Sequence, residues 1–180
     1  FNDCIFAHRD RRATSSSQLY ATPSDAELLY ADREILRPLL KFIAIKRRQQ
    51  EWSLDDLDFV KGLDATARTL GYQLVVFQSP SGQPAMIALT ERHRLSRYWG
   101  TLLFNLEYEN ATVVEIPRPI TERFVYEFGV SMFERERAAV MLVSGAQPDA
   151  NANGTADVTN PNNKTSFYNL VHRQLVRYSK

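Results

Sequence analysis

The sequence predicts a mixed α/β fold: a sheet of about five strands, made of an antiparallel meander plus one parallel β-α-β unit, flanked by helices. Three observations carry that prediction. Helical periodicity with N-terminal caps runs up to Gly71, short β-rich runs separated by turn residues follow it, and a wholly apolar run at 138–143 comes directly after a second helical stretch.

Residues 1–22 mix His8, Arg9, Arg11 and Arg12 with Ser15, Ser16 and Ser17 and show neither period, which predicts a flexible arm or linker. Residues 23–180 are expected to form one domain. Ser24 and Glu27 have capping-box spacing, in which each side chain satisfies a backbone N–H of the other residue at a helix start. The helix they open is expected to reach Arg48, with Leu28, Leu29, Ile35, Leu36, Leu39, Leu40, Ile43 and Ala44 on its apolar face. Pro38 removes a donor midway and should kink or divide it. Ser53 and Asp56 open a second helix, which ends at Gly71.

Residues 72–78 and 85–90 then read as antiparallel strands around a Ser79-Pro80-Ser81-Gly82 turn. Residues 98–106 and 112–116 read as two more strands that extend the meander. Ile120, Phe124, Phe128 and Met132 recur every fourth residue behind Pro119, predicting a helix over 119–137 in which Gly129 marks close packing. Residues 138–143 are apolar without interruption, as a strand buried on both faces must be. The unit 112–143 is therefore expected to be β-α-β with parallel strands. A long polar loop precedes a last helix that starts near Thr165 or Ser166.

Composition narrows the function classes. A formal net charge of +1 does not suit a chain that must neutralise several phosphates, so no nucleic-acid partner is expected. Arg92, Arg94 and Arg97 lie beside Tyr98 and Trp99, but aromatic residues opening a strand are expected in the core. One cysteine, Cys4, permits neither an internal disulfide nor a thiolate zinc cluster. No apolar run approaches the roughly 20 residues needed to cross a bilayer, and no transmembrane segment is expected. A chain opening on Phe1 is expected to be a mature form or a piece of something longer. Neither a phosphate-cradling loop nor a dinucleotide glycine fingerprint is present.

Chemistry is concentrated in two loops, 115–122 and 145–163, that follow the two strands expected to be parallel. In open α/β sheets, ligands collect outside the carboxyl ends of such strands. Glu115 and Glu122 are the candidate catalytic acid/base residues, and Arg118, whose rigid donor fork suits a carboxylate or phosphate, is the candidate substrate clamp together with Gln147. Arg118 and Gln147 stand where an α/β metallohydrolase could place ligands, yet neither side chain ordinarily binds zinc, which implies a degenerate, hydrolase-like domain. The histidines fall elsewhere, and His172, beside Arg173, is expected on a solvated helix face.

In the second loop Asp149, Asn151, Asn153, Gly154, Thr155, Asp157 and Asn160 alternate oxygen-bearing side chains around a glycine. This spacing resembles the calcium loop of EF-hand and dockerin-type sequences. The resemblance covers only these residues and departs at Asn160, where a bidentate carboxylate belongs. It implies weak calcium binding by Asp149, Asn151, Asn153 and Asp157. The polar Asn/Asp/Gly/Thr loop fits a periplasmic or secreted location, and the sequon matches at Asn110, Asn153 and Asn163 matter only in a secreted eukaryotic protein. The expected function is an extracytoplasmic hydrolase-like domain that binds or cleaves a polar polymer, glycan or peptide. The alternative is a noncatalytic protein-interaction domain of a larger envelope assembly.

Overall fold

The structure, a computed structural model, describes residues 12–47, 52–120, 122 and 124–178. Residues 1–11 of the expected arm, with Cys4 and His8, lie outside those, as do Arg48 and Thr121. The first helix opens on the Ser24–Glu27 capping box as α1 (Asp25–Tyr30). It passes through a π-helical segment (Ala31–Leu36) into α2 (Arg37–Lys46). The widened turn lies just upstream of Pro38, so the helix absorbs the missing donor by changing its bonding rather than by breaking. Ser53 and Asp56 form a second capping box at the start of α3 (Leu54–Arg68), and Gly71 leaves it with φ +80°.

The sheet contains β1 (Tyr72–Gln78), β2 (Pro84–Glu91), β3 (Thr101–Asn105), β4 (Asn110–Ile116) and β5 (Ala138–Val143), in the spatial order β1-β2-β3-β5-β4. The β4–β5 pair is parallel, with Glu115 opposite Leu142 and Ile116 opposite Val143, and the other pairs are antiparallel. The expected meander therefore holds from β1 to β3, and then the chain skips one place, which β5 fills. Burial explains the gap. Every residue of β5 is buried and needs neighbours on both edges, whereas β4 carries exposed Ala111, Thr112 and Glu115 and tolerates the sheet margin.

Alternation along the strands divides the core between the two faces. Leu102, Phe104, Val140 and Leu142 pack with α1 to α3 and with α5 (Phe167–Tyr178). Leu103, Met141 and Val143 pack with Tyr126, Val130 and Phe133 of α4 (Val125–Arg135). A Cβ on Gly129 would lie 2.9 Å from Ile116 Cγ1, so the glycine does let α4 approach the sheet closely.

Two expectations are corrected. The helix over 119–137 begins at Val125: residues 119–120 form a turn, and Phe124, at φ +63°, lies outside helical geometry. Residues 12–22, expected to belong to a free arm, run as a strap along the second loop. Ala13 bridges Ala146 in parallel, Gln18 N donates to Ala150 O at 2.8 Å, and Asn151 Nδ2 donates to Tyr20 O at 2.8 Å. Arg12, Ala13 and Tyr20 are buried there. Partners so distant in the chain leave no local periodicity to read.

Candidate functional site

Both predicted loops leave the same end of the sheet, because β4 and β5 run the same way. Ser144 N donates to Ile116 O at 3.0 Å, tying the two exits together. Between them and α5 lies a cleft of about 450 Å³, lined by Glu115, Pro117, Thr159, Tyr168, His172 and Arg173 among others. Glu115 is the penultimate residue of β4 and points to the face covered by α5. Ser166 accepts from Asn169 N at 3.0 Å and caps α5, which puts Tyr168 and His172 one helical turn apart.

The central contact is between Glu115 Oε1 and His172 Nδ1, at 2.7 Å. His172, expected on a solvated helix face, is exposed there and is paired with Glu115. A carboxylate on Nδ1 orients the ring and leaves Nε2 as the atom able to exchange a proton. Tyr168, which lines the same cleft, has a buried phenol oxygen with no hydrogen-bond partner among the described residues. Burial pushes its pKa upward, and the Glu115 carboxylate pushes it further the same way, so the phenol stays protonated and available as a donor.

No family model, curated protein or solved structure matches the chain. The functional reading therefore rests on this geometry.

The other predicted residues divide into those that meet the cleft and those that do not. Arg118 crosses between the loops, with Nη2 3.4 Å from Thr159 Oγ1 and Nη1 3.8 Å from Glu122 Oε1. Glu122 is thus the ion-pair partner of Arg118 on an exposed turn rather than a wall of the Glu115 cleft. Gln147 is 1% exposed, and its backbone N donates to Ala13 O beneath the strap, so it is not presented to a ligand at the surface.

In the second loop the expected cation ligands serve the loop itself. Asn153 Oδ1 accepts from Thr155 N and Oγ1, and Asp157 Oδ1 accepts from Thr159 N and Oγ1. Asp149 Oδ1 accepts from Ser15 Oγ at 2.9 Å, and the Asn151 amide reaches Tyr20 O and Thr155 Oγ1. These are Asx turns and strap contacts, while the buried Asn151 Oδ1 has no hydrogen-bond partner among the described residues. Among the described residues, no three His, Cys, Asp or Glu side chains group closely enough to hold a metal. A cation taking Oδ1 of Asp149, Asn153 or Asp157 would compete with these internal donors. Melting in roughly 5 mM calcium, above the dissociation constants of weak extracellular sites, is therefore expected to match melting in chelator. A calcium-dependent rise that Asp157→Ala removes would reinstate the cation site.

Sequence reasoning missed His172 and Tyr168. Their only local signal was their shared face, one turn apart, on an amphipathic helix. The carboxylate that gives that face its chemistry lies 57 residues away.

Proposed function

We propose that this chain is an extracytoplasmic, hydrolase-like α/β domain that holds a polar polymer, glycan or peptide, in the cleft at the carboxyl ends of β4 and β5. The observation that carries the reading is the 2.7 Å Glu115–His172 contact at the mouth of that cleft. An imidazole oriented by a carboxylate is a general acid/base unit, and its location beyond parallel strand ends is where α/β folds place ligands. Among the described residues neither Ser nor Cys lines the cleft, and the Thr159 hydroxyl donates to Asp157, so cleavage here would proceed through water deprotonated at His172 Nε2. Arg118 and Arg173 supply positive charge for a carboxylate or carbonyl on the polymer. The polar, sequon-bearing second loop supports a location outside the cytoplasm.

Turnover and retention of glycan and peptide libraries test the reading. His172→Asn and Glu115→Gln are each expected to lower turnover by about 100-fold or more, the usual share of a general base, whereas Glu122→Gln leaves it nearly unchanged. Equal turnover and equal retention by wild type and both cleft variants would sink the proposal.

A second reading, a noncatalytic interaction domain of an envelope assembly, is favoured by one observation. Phe124 and Phe128 at the start of α4 are 62% and 64% exposed, unusual for large aromatic side chains. Under that reading Phe128→Asp, and not Glu115→Gln, abolishes association.

A further inference from the structure

At the opposite end of the sheet from the Glu115 cleft, where β3 ends and β5 begins, a second cleft of about 580 Å³ opens between the end of α2 and the β1–β2 turn. Its volume falls within the range of small-ligand sites. The walls combine cations with flat aromatic surfaces: Arg47, Trp52, Gln83, Glu107, Tyr108 and Arg137.

The cations are not equivalent. Lys46 is held by Asp56 at 2.5 Å. Arg137 is spent on the Glu109 carboxylate at 2.7 Å and on the Glu107 carbonyl at 2.8 Å. Arg47 makes no ion pair among the described residues. Its guanidinium lies over the Tyr108 ring, 3.9 Å from the centroid, which fixes its plane while leaving the N–H edges uncommitted. Such a fork is pre-organised for a carboxylate, with little rotamer freedom left to lose on binding.

Beside it, Trp52 is braced edge-on by Phe42, ring centroids 5.3 Å apart, and Phe42 is itself stacked on Phe59. Trp52 therefore offers a braced apolar wall. The Glu107 carboxylate and Gln83 amide, both without hydrogen-bond partners among the described residues, are acceptors and donors of the kind that hydroxyl groups satisfy.

We propose that this cleft binds an acidic sugar, with the carboxylate on the Arg47 fork, the ring face against Trp52, and hydroxyls on Glu107 and Gln83. A bare anion would leave the aromatic wall unused, and a neutral sugar would leave Arg47 unpaired. The site is separate from the Glu115–His172 cleft and does not rest on the function proposed there.

Tryptophan fluorescence tests it directly, because Trp52 lines the cleft while Trp99 is 2% exposed within the core. Titration of the intact chain with glucuronate and with a short galacturonate oligomer is expected to quench Trp52 saturably, while glucose and acetate at the same concentrations do not. Arg47→Met should raise Kd at least about tenfold, the loss expected for one charge-assisted fork, with Arg47→Lys in between. Glu115→Gln should bind as wild type does, which separates failure here from failure at the other cleft. Circular dichroism and melting of each variant establish that it is folded. Equal quenching by glucose and glucuronate, no saturable quenching by either acid, or undiminished affinity in folded Arg47→Met would each overturn the proposal.

Discussion

Gly145→Ala is expected to destabilise the protein by about 3–5 kcal/mol, a large share of the 5–15 kcal/mol that holds a domain folded. A Cβ at this position would sit 2.6 Å from Gly100 N and closer still to the Tyr98 carbonyl, both backbone atoms that cannot swing aside. The same crossing is crowded from the other side, where a Cβ on Gly100, at φ +115°, would collide with the Val143 carbonyl. Here the exit of β5 passes over the 98–100 segment and Gly145 O receives Ala13 N at 3.0 Å, so the substitution also loosens the strap and the loop that walls the Glu115 cleft. Urea denaturation measures the loss. Gly62→Ala is the control: it lies on the exposed side of α3, its Cβ meets nothing within 4 Å, and it should stabilise by about 0.5–1 kcal/mol. Similar stabilities for the two variants would show that the crossing is not tight.

The second large effect is at Glu91, where alanine and glutamine are expected to act in opposite directions. Glu91 Oε1 accepts from Arg97 N at 2.8 Å and Trp99 N at 3.2 Å, and Oε2 accepts from Ser96 Oγ at 3.2 Å. Its carboxylate thus organises the turn that delivers Trp99 to the core, where Trp99 stacks on Phe167 at 5.8 Å. Glu91→Ala strands these donors and should cost about 3 kcal/mol. Burial pushes the Glu91 pKa up, against the lowering effect of the hydrogen bonds from Trp99, Arg97, Ser96 and Gly100.

With the folded value above the unfolded one, the native state holds the proton more tightly. The stability contributed is complete below the ordinary carboxylate value of 4.5 and is lost as pH rises through the raised folded value. Glu91→Gln keeps an acceptor for Arg97 N and Trp99 N and cannot ionise. It should therefore equal or exceed wild type at neutral pH and lack that part of the pH dependence. Melting temperature against pH checks this, and parallel curves for wild type and Glu91→Gln would contradict it.

Features encoded within a few residues could be read directly. Ser24 with Glu27 and Ser53 with Asp56 announce helix starts through contacts that close within one turn. The uninterrupted apolar run of β5 requires burial on both faces, and burial on both faces requires neighbours on both edges. Pro117 and Pro119 were equally visible, but Pro119 can either begin a helix or hold a chain extended, and the repeat at Ile120 and Phe124 suggested the former. Phe124, exposed and at positive φ before the helix, and Phe128, exposed within it, show that α4 buries Tyr126, Val130 and Phe133 instead of the residues of that repeat.

The amino-acid sequence by itself determined the helix caps, the strands, the parallel pair and the end of the sheet from which the two polar loops emerge, because those depend on backbone preferences and on apolar periodicity along short stretches. Only the tertiary structure decided that β5 enters between β3 and β4, that residues 12–22 close over the second loop, and that Glu115 meets His172 rather than Glu122. Each of these is a contact between groups far apart in the chain. Such contacts are selected by which surfaces pack and which donors find acceptors once the sheet exists, and no local pattern carries that information.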